Sequence, residues 1–507
     1  MRETMRQFNA DFDAVVARHG ERVAIISTAH PERKISYREL DGLIDRQAAA
    51  FARENLRPGD CVGSMMPNSV EQLCLFLACL RSGLRFAPLA CDITPKEIEP
   101  WAKVMKPSVC CLGSLVAKDF QSTVERQGIP CRVIDADGDF GHLPGTVTPA
   151  ARGAGSKVQL FSSGTTGQPK AIVLDADRLW SAGCAFLASQ GIDEQTPFRI
   201  WNYLPHSYLG GLFNMGLIPF AAAGSTVVDE TFSGKTFLGF WQTVDRYDIN
   251  ILWLVPTIVR GLLAISDRTH RDGVRRYDKV ISHAFLGTAP IDLGTKRRFE
   301  TVFRIPLLEN FALSETTFLT SERPQEDGLR SEGSVGRMLP WVELSFRAAE
   351  QEDDPKYREI AVKTPFIAEG YLDENGALSR TDPDEWFPTG DLGYLDASGQ
   401  LVLTGRSKDI IKKGGHFVAL QEVERLAAAH PSVSEAAAVP GSHSFYGEVY
   451  RLHVCLKSDA PADAIVAVRE YVYGSLARYK WPEDIEVADD LPRTGSGKVR
   501  KFLLRQP

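Results

Sequence analysis

Apolar and polar positions along the first part of the chain predict strands and helices in turn. Short β-type runs at Ala24–Ser27, Cys61–Met66 and Val109–Leu112 alternate with longer segments in which apolar residues recur at helical spacing. The clearest of these helical segments are Tyr37–Glu54 and Glu71–Ser82. Alternation of this kind is typical of βαβ units with a mostly parallel sheet, so the pattern predicts an α/β fold.

The pattern changes twice farther along the chain. From about residue 325 to 399 it predicts short strands and turns, including a hairpin at Tyr394–Leu401. After Gly405 it predicts an α+β unit with helices at Leu420–Ala429 and Pro461–Leu476 and strands at Glu435–Val439 and Tyr450–Leu456. We therefore expect an N-terminal domain over 1–404, a linking segment at 405–409 and a C-terminal domain over 410–507.

Composition excludes several classes of protein. The 507 residues are 44% hydrophobic and 24% charged, which is typical of a folded globular chain. Lys and Arg number 58 against 65 Asp and Glu, and this net charge of −7 has the wrong sign for a protein that mainly binds nucleic acid. The nine cysteines show no metal-ligand spacing, and no apolar run is long enough for a membrane span, so we expect reduced thiols in a cytoplasmic protein.

The strongest chemical signal is the segment Phe161–Lys170, which reads FSSGTTGQPK and follows an apolar run. Its small residues let the backbone turn tightly and offer N–H and hydroxyl donors, and Lys170 adds a cation, as a phosphate-binding loop requires. The donors expected here are Ser162, Ser163, Gly164, Thr165, Thr166 and Gly167. The segment is not a Walker loop, because the residue before Lys170 is a proline.

Five more segments follow in an order that resembles the adenylate-forming superfamily of acyl- and aryl-CoA synthetases, luciferase and peptide-synthetase adenylation domains. They are LGTAP at 286–290, NFALSE at 310–315, WFPTGD at 386–391, GRSKD at 405–409 and PRTGSGK at 492–498. The resemblance covers about 340 residues, from Phe161 to Lys501. It implies a large α/β body with layered sheets and a small barrel-like section, followed by a mobile α+β lid.

The resemblance implies a role for each motif. Lys498, Lys170 and Glu315 would be catalytic, and Glu315 and Thr166 would hold Mg²⁺. Asp391 would accept the ribose hydroxyls beside Arg406, since a carboxylate offers two acceptor oxygens. The remaining nucleotide-binding positions would be Gly287, Thr288, Ala289, Pro290, Asn310, Phe311, Ala312 and Ser314.

The resemblance also implies movement and an acid pocket. The lid would turn about Lys408, so that Lys498 leaves and the Gly414-Gly415 loop meets the pantetheine arm of CoA. The acyl pocket would be lined by Tyr208, His206, Gly287 and Ala312. The Asp that amino-acid-activating relatives use to hold an ammonium group is missing from this region, which favours an acid without a nearby amine.

The implied function is an AMP-forming carboxylic acid:CoA ligase that uses ATP, Mg²⁺ and coenzyme A. Ala171 and Ala312 replace family glycines, and an extra methyl facing the reacting groups would slow adenylation more than thioester formation. Two alternatives stay open: a stand-alone enzyme that loads a carrier protein, and a catalytically silent nucleotide sensor. Neither the acid nor the oligomeric state follows from the sequence.

Overall fold

A computed structural model describes most of the chain. The described residues are 5–29, 31–134, 152–162, 170–269, 280–289, 291–323, 333–347, 358–413, 416–443, 447–493 and 499–504.

Helices and strands alternate through the N-terminal half, as the apolar pattern predicts. The α-helices are α1 Phe8–His19, α2 Tyr37–Arg53, α3 Val70–Ser82, α4 Pro95–Met105, α5 Ser114–Glu125, α6 Ala176–Ser189, α7 Ile218–Ala221, α8 Gly234–Arg246, α9 Pro256–Thr269, α10 Leu293–Phe303, α11 Leu420–Ala428 and α12 Ala464–Ser475. A π-helix covers Gly210–Leu217, and short 3₁₀ helices cover Ser407–Asp409, Arg478–Lys480 and Lys501–Leu504.

The strands form four sheets. They are β1 Val23–Ser27, β2 Arg33–Ser36, β3 Cys61–Met65, β4 Arg85–Pro88, β5 Val109–Gly113, β6 Cys131–Ile134, β7 Lys157–Ser162, β8 Lys170–Asp175, β9 Arg199–Asn202, β10 Ser225–Val228, β11 Ile251–Leu254, β12 His283–Leu286, β13 Leu307–Leu313, β14 Thr317–Ser321, β15 Arg337–Met338, β16 Glu343–Arg347, β17 Glu359–Lys363, β18 Gly370–Leu372, β19 Leu378–Arg380, β20 Phe387–Leu395, β21 Leu401–Arg406, β22 Ile410–Lys413, β23 His416–Ala419, β24 Val433–His443, β25 Gly447–Leu456 and β26 Ile485–Val487.

Two large sheets make up the body of the molecule. The first has the order β15-β14-β13-β12-β11-β9-β10-β1-β2 and the second β19-β18-β8-β7-β4-β3-β5-β6. One apolar cluster contains residues of both sheets, among them Ile25, Phe86 and Leu254. Every residue of α3 from Val70 to Arg81 is buried, which places this helix inside the body. The layered α/β fold predicted from the sequence is therefore confirmed.

A small antiparallel sheet, β16-β17-β20-β21, follows the body. It packs against the first large sheet through a separate apolar cluster, in which Phe311 and Leu319 of β13 and β14 join Ile360 and Leu401 of β17 and β21. The predicted hairpin lies here, because Leu395 pairs with Leu401 across the β20–β21 turn.

The C-terminal part has its own sheet, β23-β22-β25-β24 with β26 beside β25, and its own apolar cluster around Leu420, Tyr450 and Val468. The 3₁₀ helix Ser407–Asp409 joins it to β21. The predicted hinge at 405–409 therefore comprises the last two residues of β21 and the 3₁₀ helix that links the two sheets.

The cysteines and helices match two further expectations. All nine cysteines are described, and all are free thiols. Within the described ranges, no helix combines the length and the apolar character needed to cross a bilayer.

Candidate functional site

Four parallel strands of the first large sheet end side by side and define one edge of the body. The strands are β9, β11, β12 and β13, which are neighbours in the sheet. The carboxyl ends of parallel strands are the usual place for a ligand site in an α/β protein. Tyr208 follows β9, Gly287 follows β12 and Glu315 follows β13, so the sheet gathers three residues that the sequence assigns to one site.

The turn after β12 is held closely against β13. Asn310 Nδ2 donates a hydrogen bond of 3.0 Å to the carbonyl oxygen of Leu286. A Cβ atom on Gly287 would come within 2.9 Å of Asn310 Oδ1, so a side chain at 287 would collide with Asn310 unless the amide moved. Thr288 has a φ of +75°, a strained conformation for a residue other than glycine. Gly287, Thr288 and Asn310 therefore lie together, as predicted, with Ala289 exposed beside them.

Glu315 is oriented by two contacts from the segment before and within β18. The hydroxyl of Tyr371 donates a hydrogen bond of 3.0 Å to Glu315 Oε1, and the N–H of Ala368 donates one of 2.6 Å to the Glu315 carbonyl oxygen. Burial raises the pKa of Tyr371, and the neighbouring carboxylate raises it further, so the phenol stays protonated and remains a donor. Glu315 is half-buried and Ser314 lies beside it. The carboxylate is thus held in one place while still reachable.

Asp391 and Arg406, which the sequence predicts to lie side by side, are on β20 and β21. The two residues are register partners, and Arg406 Nε donates to Asp391 Oδ1 at 3.0 Å. Asp391 is 5% exposed, and its N–H donates to Thr389 Oγ1 at 3.1 Å. Gly390, just before Asp391, has a φ of +70°, a conformation that glycine adopts without strain.

These two parts of the site are connected through Phe311. Its ring is 7% exposed and packs into the cluster that contains Ile360 and Leu401. That cluster fixes the end of β13, and with it Glu315, relative to the small sheet that carries Asp391. Stacking of Phe311 on a purine stays a prediction.

His206 and Tyr208 lie in the loop between β9 and the π-helix. The loop is anchored by Asn68, whose Oδ1 accepts a hydrogen bond of 2.9 Å from the His206 N–H and whose Nδ2 donates one of 2.9 Å to the Leu204 carbonyl oxygen. The imidazole of His206 is 1% exposed and neither ring nitrogen has a hydrogen-bond partner. Burial lowers its pKa to about 3, so the ring is neutral at pH 7. Tyr208 is half-buried, and burial raises its pKa.

The two alanines that replace family glycines lie in different environments. Ala171 is fully buried in β8 and its methyl group belongs to the second apolar cluster, which also contains Leu112 and Leu372. We expected this methyl group to face the reacting groups, and that expectation was wrong. Successive side chains of a strand point to opposite faces, and Ala171 lies on the face of β8 that packs in this cluster. Ala312 is exposed at the end of β13, next to the Ser314 and Glu315 segment.

Several predicted residues lie outside the described part of the chain. They are Ser163, Gly164, Thr165, Thr166, Gly167, Pro290, Gly414, Gly415 and Lys498. Ser162 and Lys170 are described as strand ends, and they are register partners across β7 and β8. Lys408 is described as part of the 3₁₀ helix Ser407–Asp409.

The described residues on either side of 494–498 are close together. Arg493 and Val499 form an antiparallel bridge, and Arg493 also pairs with Glu435 of β24. Glu435 Oε1 lies 4.0 Å from Arg260 Nη1 on α9, and Arg260 Nη2 lies 3.9 Å from Asp292 Oδ2. Asp292 caps α10, which begins just after the 286–290 turn. The C-terminal sheet thus contacts the body near the predicted nucleotide site.

Tyr371 is a residue that sequence reasoning missed. It is 56 positions from Glu315, and nothing in its local pattern distinguishes it from a strand tyrosine at a sheet edge. Its contact depends on β18 pairing with β8, which brings the segment 366–372 back to the body.

Comparison with known proteins decides the family. The AMP-binding enzyme family matches residues 12–372, and the C-terminal domain of AMP-binding enzymes matches residues 422–498. The chain belongs to the AMP-binding enzyme family. This confirms the resemblance drawn from the six motifs.

Relatives and solved structures cover nearly the whole chain. Oxalate–CoA ligase of Arabidopsis thaliana is 27% identical over 93% of both chains, and indoleacetate–CoA ligase of Aromatoleum aromaticum is 29% identical over 94% of both. The ATP-bound MatB of Rhodopseudomonas palustris is 27% identical with a TM-score of 0.84 over 98% of both chains. The o-succinylbenzoate CoA synthetase of Bacillus subtilis, at 23% identity and a TM-score of 0.83 over 98% of both chains, shares the fold.

Proposed function

We propose that the protein is an ATP-dependent carboxylic acid:CoA ligase that forms AMP. A carboxylate oxygen of the acid attacks the α-phosphorus of ATP and pyrophosphate leaves; the CoA sulfur then attacks the acyl carbon and AMP leaves. The observation that carries this proposal is the packing of β13, which leads into Glu315, against the small sheet that carries the hydrogen-bonded Asp391–Arg406 pair, at the carboxyl ends of the parallel strands. The family match and the relatives named CoA ligases support it.

Different described residues would contact the adenine, the ribose and the phosphates of ATP. The turn at Gly287, packed on Asn310, would line the adenine, and Asp391 would accept the ribose hydroxyls while Arg406 holds its carboxylate. The phosphates would lie at the loop between the paired ends Ser162 and Lys170, near the Glu315 segment. Phosphoryl chemistry of this kind depends mainly on positioning and charge neutralisation.

Glu315 fits the magnesium role that the family implies. A carboxylate supplies the hard oxygen that Mg²⁺ prefers, and Tyr371 fixes its orientation. Within the described ranges no three His, Cys, Asp or Glu side chains gather as a metal-binding group. Mg²⁺ is usually bound through one or two carboxylates together with substrate phosphates. When bound, Mg²⁺ would neutralise phosphate charge during displacement.

The second half-reaction needs a change in the C-terminal domain. We propose that residues 405–409 are the hinge between an N-terminal domain over 1–404 and a lid over 410–507, with Lys408 as the pivot. Lys498 would lie at the α-phosphate during adenylation and would leave before the thiol enters past Gly414 and Gly415. The Glu435–Arg260 contact supports an approach of the Lys498 segment to the body.

The test is direct detection of products. The purified protein is incubated with ATP, Mg²⁺, CoA and a panel of short, aryl and fatty acids, and the amounts of acyl-CoA and AMP formed are measured. The two products should appear in equal amounts. The proposal predicts acid-dependent formation of both. Binding of ATP without turnover for any acid would instead indicate a nucleotide sensor. Faster transfer to a phosphopantetheinylated carrier protein than to CoA would indicate a loading enzyme.

A further inference from the structure

Asn214 has an unusual place in the π-helix that follows Tyr208. The other seven residues of Gly210–Leu217 are buried, whereas Asn214 is half-exposed. π-Helices are rare, and they occur frequently at functional sites. An amide that reaches accessible space from an otherwise buried helix is therefore a candidate ligand contact.

The geometry of Gly210 places Asn214 beside Tyr208. A Cβ atom on Gly210 would lie 3.2 Å from the Tyr208 ring, so the ring rests directly on this helix. Asn214 is four residues later, close to one turn of a helix with i→i+5 hydrogen bonds, so it lies on nearly the same face as Gly210. We call Tyr208, Gly210 and Asn214 together the amide wall.

The interior behind the π-helix is filled. Phe213 stacks on Phe318 with ring centroids 5.8 Å apart, and Phe186, Trp253 and Phe285 continue the same packing at 4.0 to 5.9 Å. None of these five rings is more than 2% exposed. An acid lying along the amide wall could extend into this region only by displacing aromatic rings from a close-packed core.

We propose that Asn214 hydrogen-bonds the end of the acid that is farthest from the reacting carboxylate. The preferred substrates are then compact carboxylic acids that carry a neutral oxygen at that end, such as a carbonyl or hydroxyl group. This inference rests on the proposed function. An amide both donates and accepts, so it pairs with either group. It carries no charge, and a second carboxylate would lose hydration without gaining a cation. A saturated chain would leave the amide unpaired.

The experiment compares acids of matched size as substrates for the whole enzyme. The first set is levulinate, pentanoate and glutarate, the second is para-hydroxybenzoate and benzoate, and laurate is the long-chain probe. The readout is kcat/KM for CoA thioester formation. We expect levulinate to exceed pentanoate and glutarate, or para-hydroxybenzoate to exceed benzoate, by about tenfold, the value of one hydrogen bond.

Variants assign that preference to Asn214. Asn214→Leu should remove the preference for the oxygenated acid while leaving the value for its saturated partner similar or higher. Asn214→Asp keeps the shape of the side chain but loses its N–H donor, so kcat/KM should fall more for levulinate than for para-hydroxybenzoate. This variant replaces Asn214→Leu in the test if the leucine variant fails to fold. Met215→Leu, a buried change on the same helix, should preserve the preference.

The outcomes separate this inference from the function on which it depends. Preference for pentanoate, glutarate, benzoate or laurate over the oxygenated acids, or unchanged ratios in both Asn214 variants, would overturn the role of Asn214 and leave the ligase assignment intact. Absence of acid-dependent pyrophosphate exchange with every acid would instead count against the proposed function.

Discussion

The hydrogen bond from Tyr371 to Glu315 is the residue-scale contact that bears most directly on adenylation. Removing the hydroxyl in Tyr371→Phe would leave the ring packing but free the carboxylate to adopt other rotamers. We expect acid-dependent pyrophosphate exchange to fall about tenfold, as for loss of one hydrogen bond to a charged group. The Mg²⁺ concentration for half-maximal rate should rise, which titration of the exchange assay would measure.

A matched tyrosine controls for this change. Tyr394 is half-buried on β20, where it is the register partner of Val402, so Tyr394→Phe should leave both the rate and the Mg²⁺ dependence unchanged. Equal behaviour of the two variants would show that Tyr371 does not position Glu315.

The buried imidazole of His206 predicts a pH dependence of stability. Its pKa falls from 6.5 to about 3 on folding, so the unfolded state binds the proton more readily. The contribution of the neutral imidazole to the free energy of unfolding is therefore fully present above pH 6.5. It is lost as the pH falls toward 3, by up to about 1.4 kcal/mol per pH unit. Thermal unfolding of His206→Gln between pH 7 and about pH 5 should show a shallower loss of Tm than the parent protein shows.

An exposed histidine provides the comparison for that slope. The variant is His443→Gln, which replaces a histidine whose side chain is 38% exposed and whose Nε2 lies 3.9 Å from Glu483 Oε1. Identical slopes for the parent protein and both variants would mean that His206 gains a proton in the folded state at ordinary pH.

At the scale of elements, the positions of Ala171 in β8 and Ala312 in β13 predict different effects when each alanine is changed to glycine. Ala312 is exposed at the end of β13, so Ala312→Gly should raise the rate of pyrophosphate exchange if its methyl obstructs the acid. Ala171 is buried in β8, so Ala171→Gly should lower stability by about 1 kcal/mol without changing that rate. Acceleration by Ala171→Gly, or none by Ala312→Gly, would contradict this assignment.

Element boundaries could be predicted where an amphipathic pattern ends in a clear cap. Helix α2 is predicted at Tyr37–Glu54 and observed at Tyr37–Arg53, because Ser36 and Glu39 form a capping box at its start. Strand β24 is underestimated, since Glu435–Val439 is only the middle of Val433–His443. Apart from Val433, the outer residues of β24 are Ser434, Pro440, Gly441, Ser442 and His443, which have low strand propensity, and they form strand because β25 pairs with β24 from Val433 to His443.

The candidate site could be predicted less completely than the fold. Motif residues such as Asp391 and Arg406 meet as expected, because the predicted hairpin puts them in register. The contact of Tyr371 with Glu315 and the π-helical face of Asn214 could not be predicted. The first depends on distant strands pairing, and the second on a helix whose period differs from the usual one.

At the scale of the whole molecule, the contact between Arg260 and Glu435 links the body to the C-terminal sheet. A rotation at residues 405–409 would separate these side chains, so the contact should favour one arrangement of the two parts. Arg260→Ala should reduce adenylation by up to about fivefold, the size expected of a partly exposed ion pair, and leave thioester formation from added acyl-adenylate unchanged.

Ionic strength tests the same contact independently. The difference between Arg260→Ala and the parent protein should disappear in about 1 M salt, because screening weakens the pair in both. Arg297→Ala, an exposed change on α10, should match the parent protein at all salt concentrations. A defect that persists at high salt would assign Arg260 a different role.

The most direct test of the account is to measure the two half-reactions separately in Lys498→Ala, with Lys457→Ala, an exposed lysine of the same domain, as control. Adenylation is followed by pyrophosphate exchange, and thioester formation by supplying acyl-adenylate and CoA. The account predicts a loss of about 10²–10³ in the first and a change of only a few fold in the second. Equal loss in both half-reactions, or full activity in both, would contradict it.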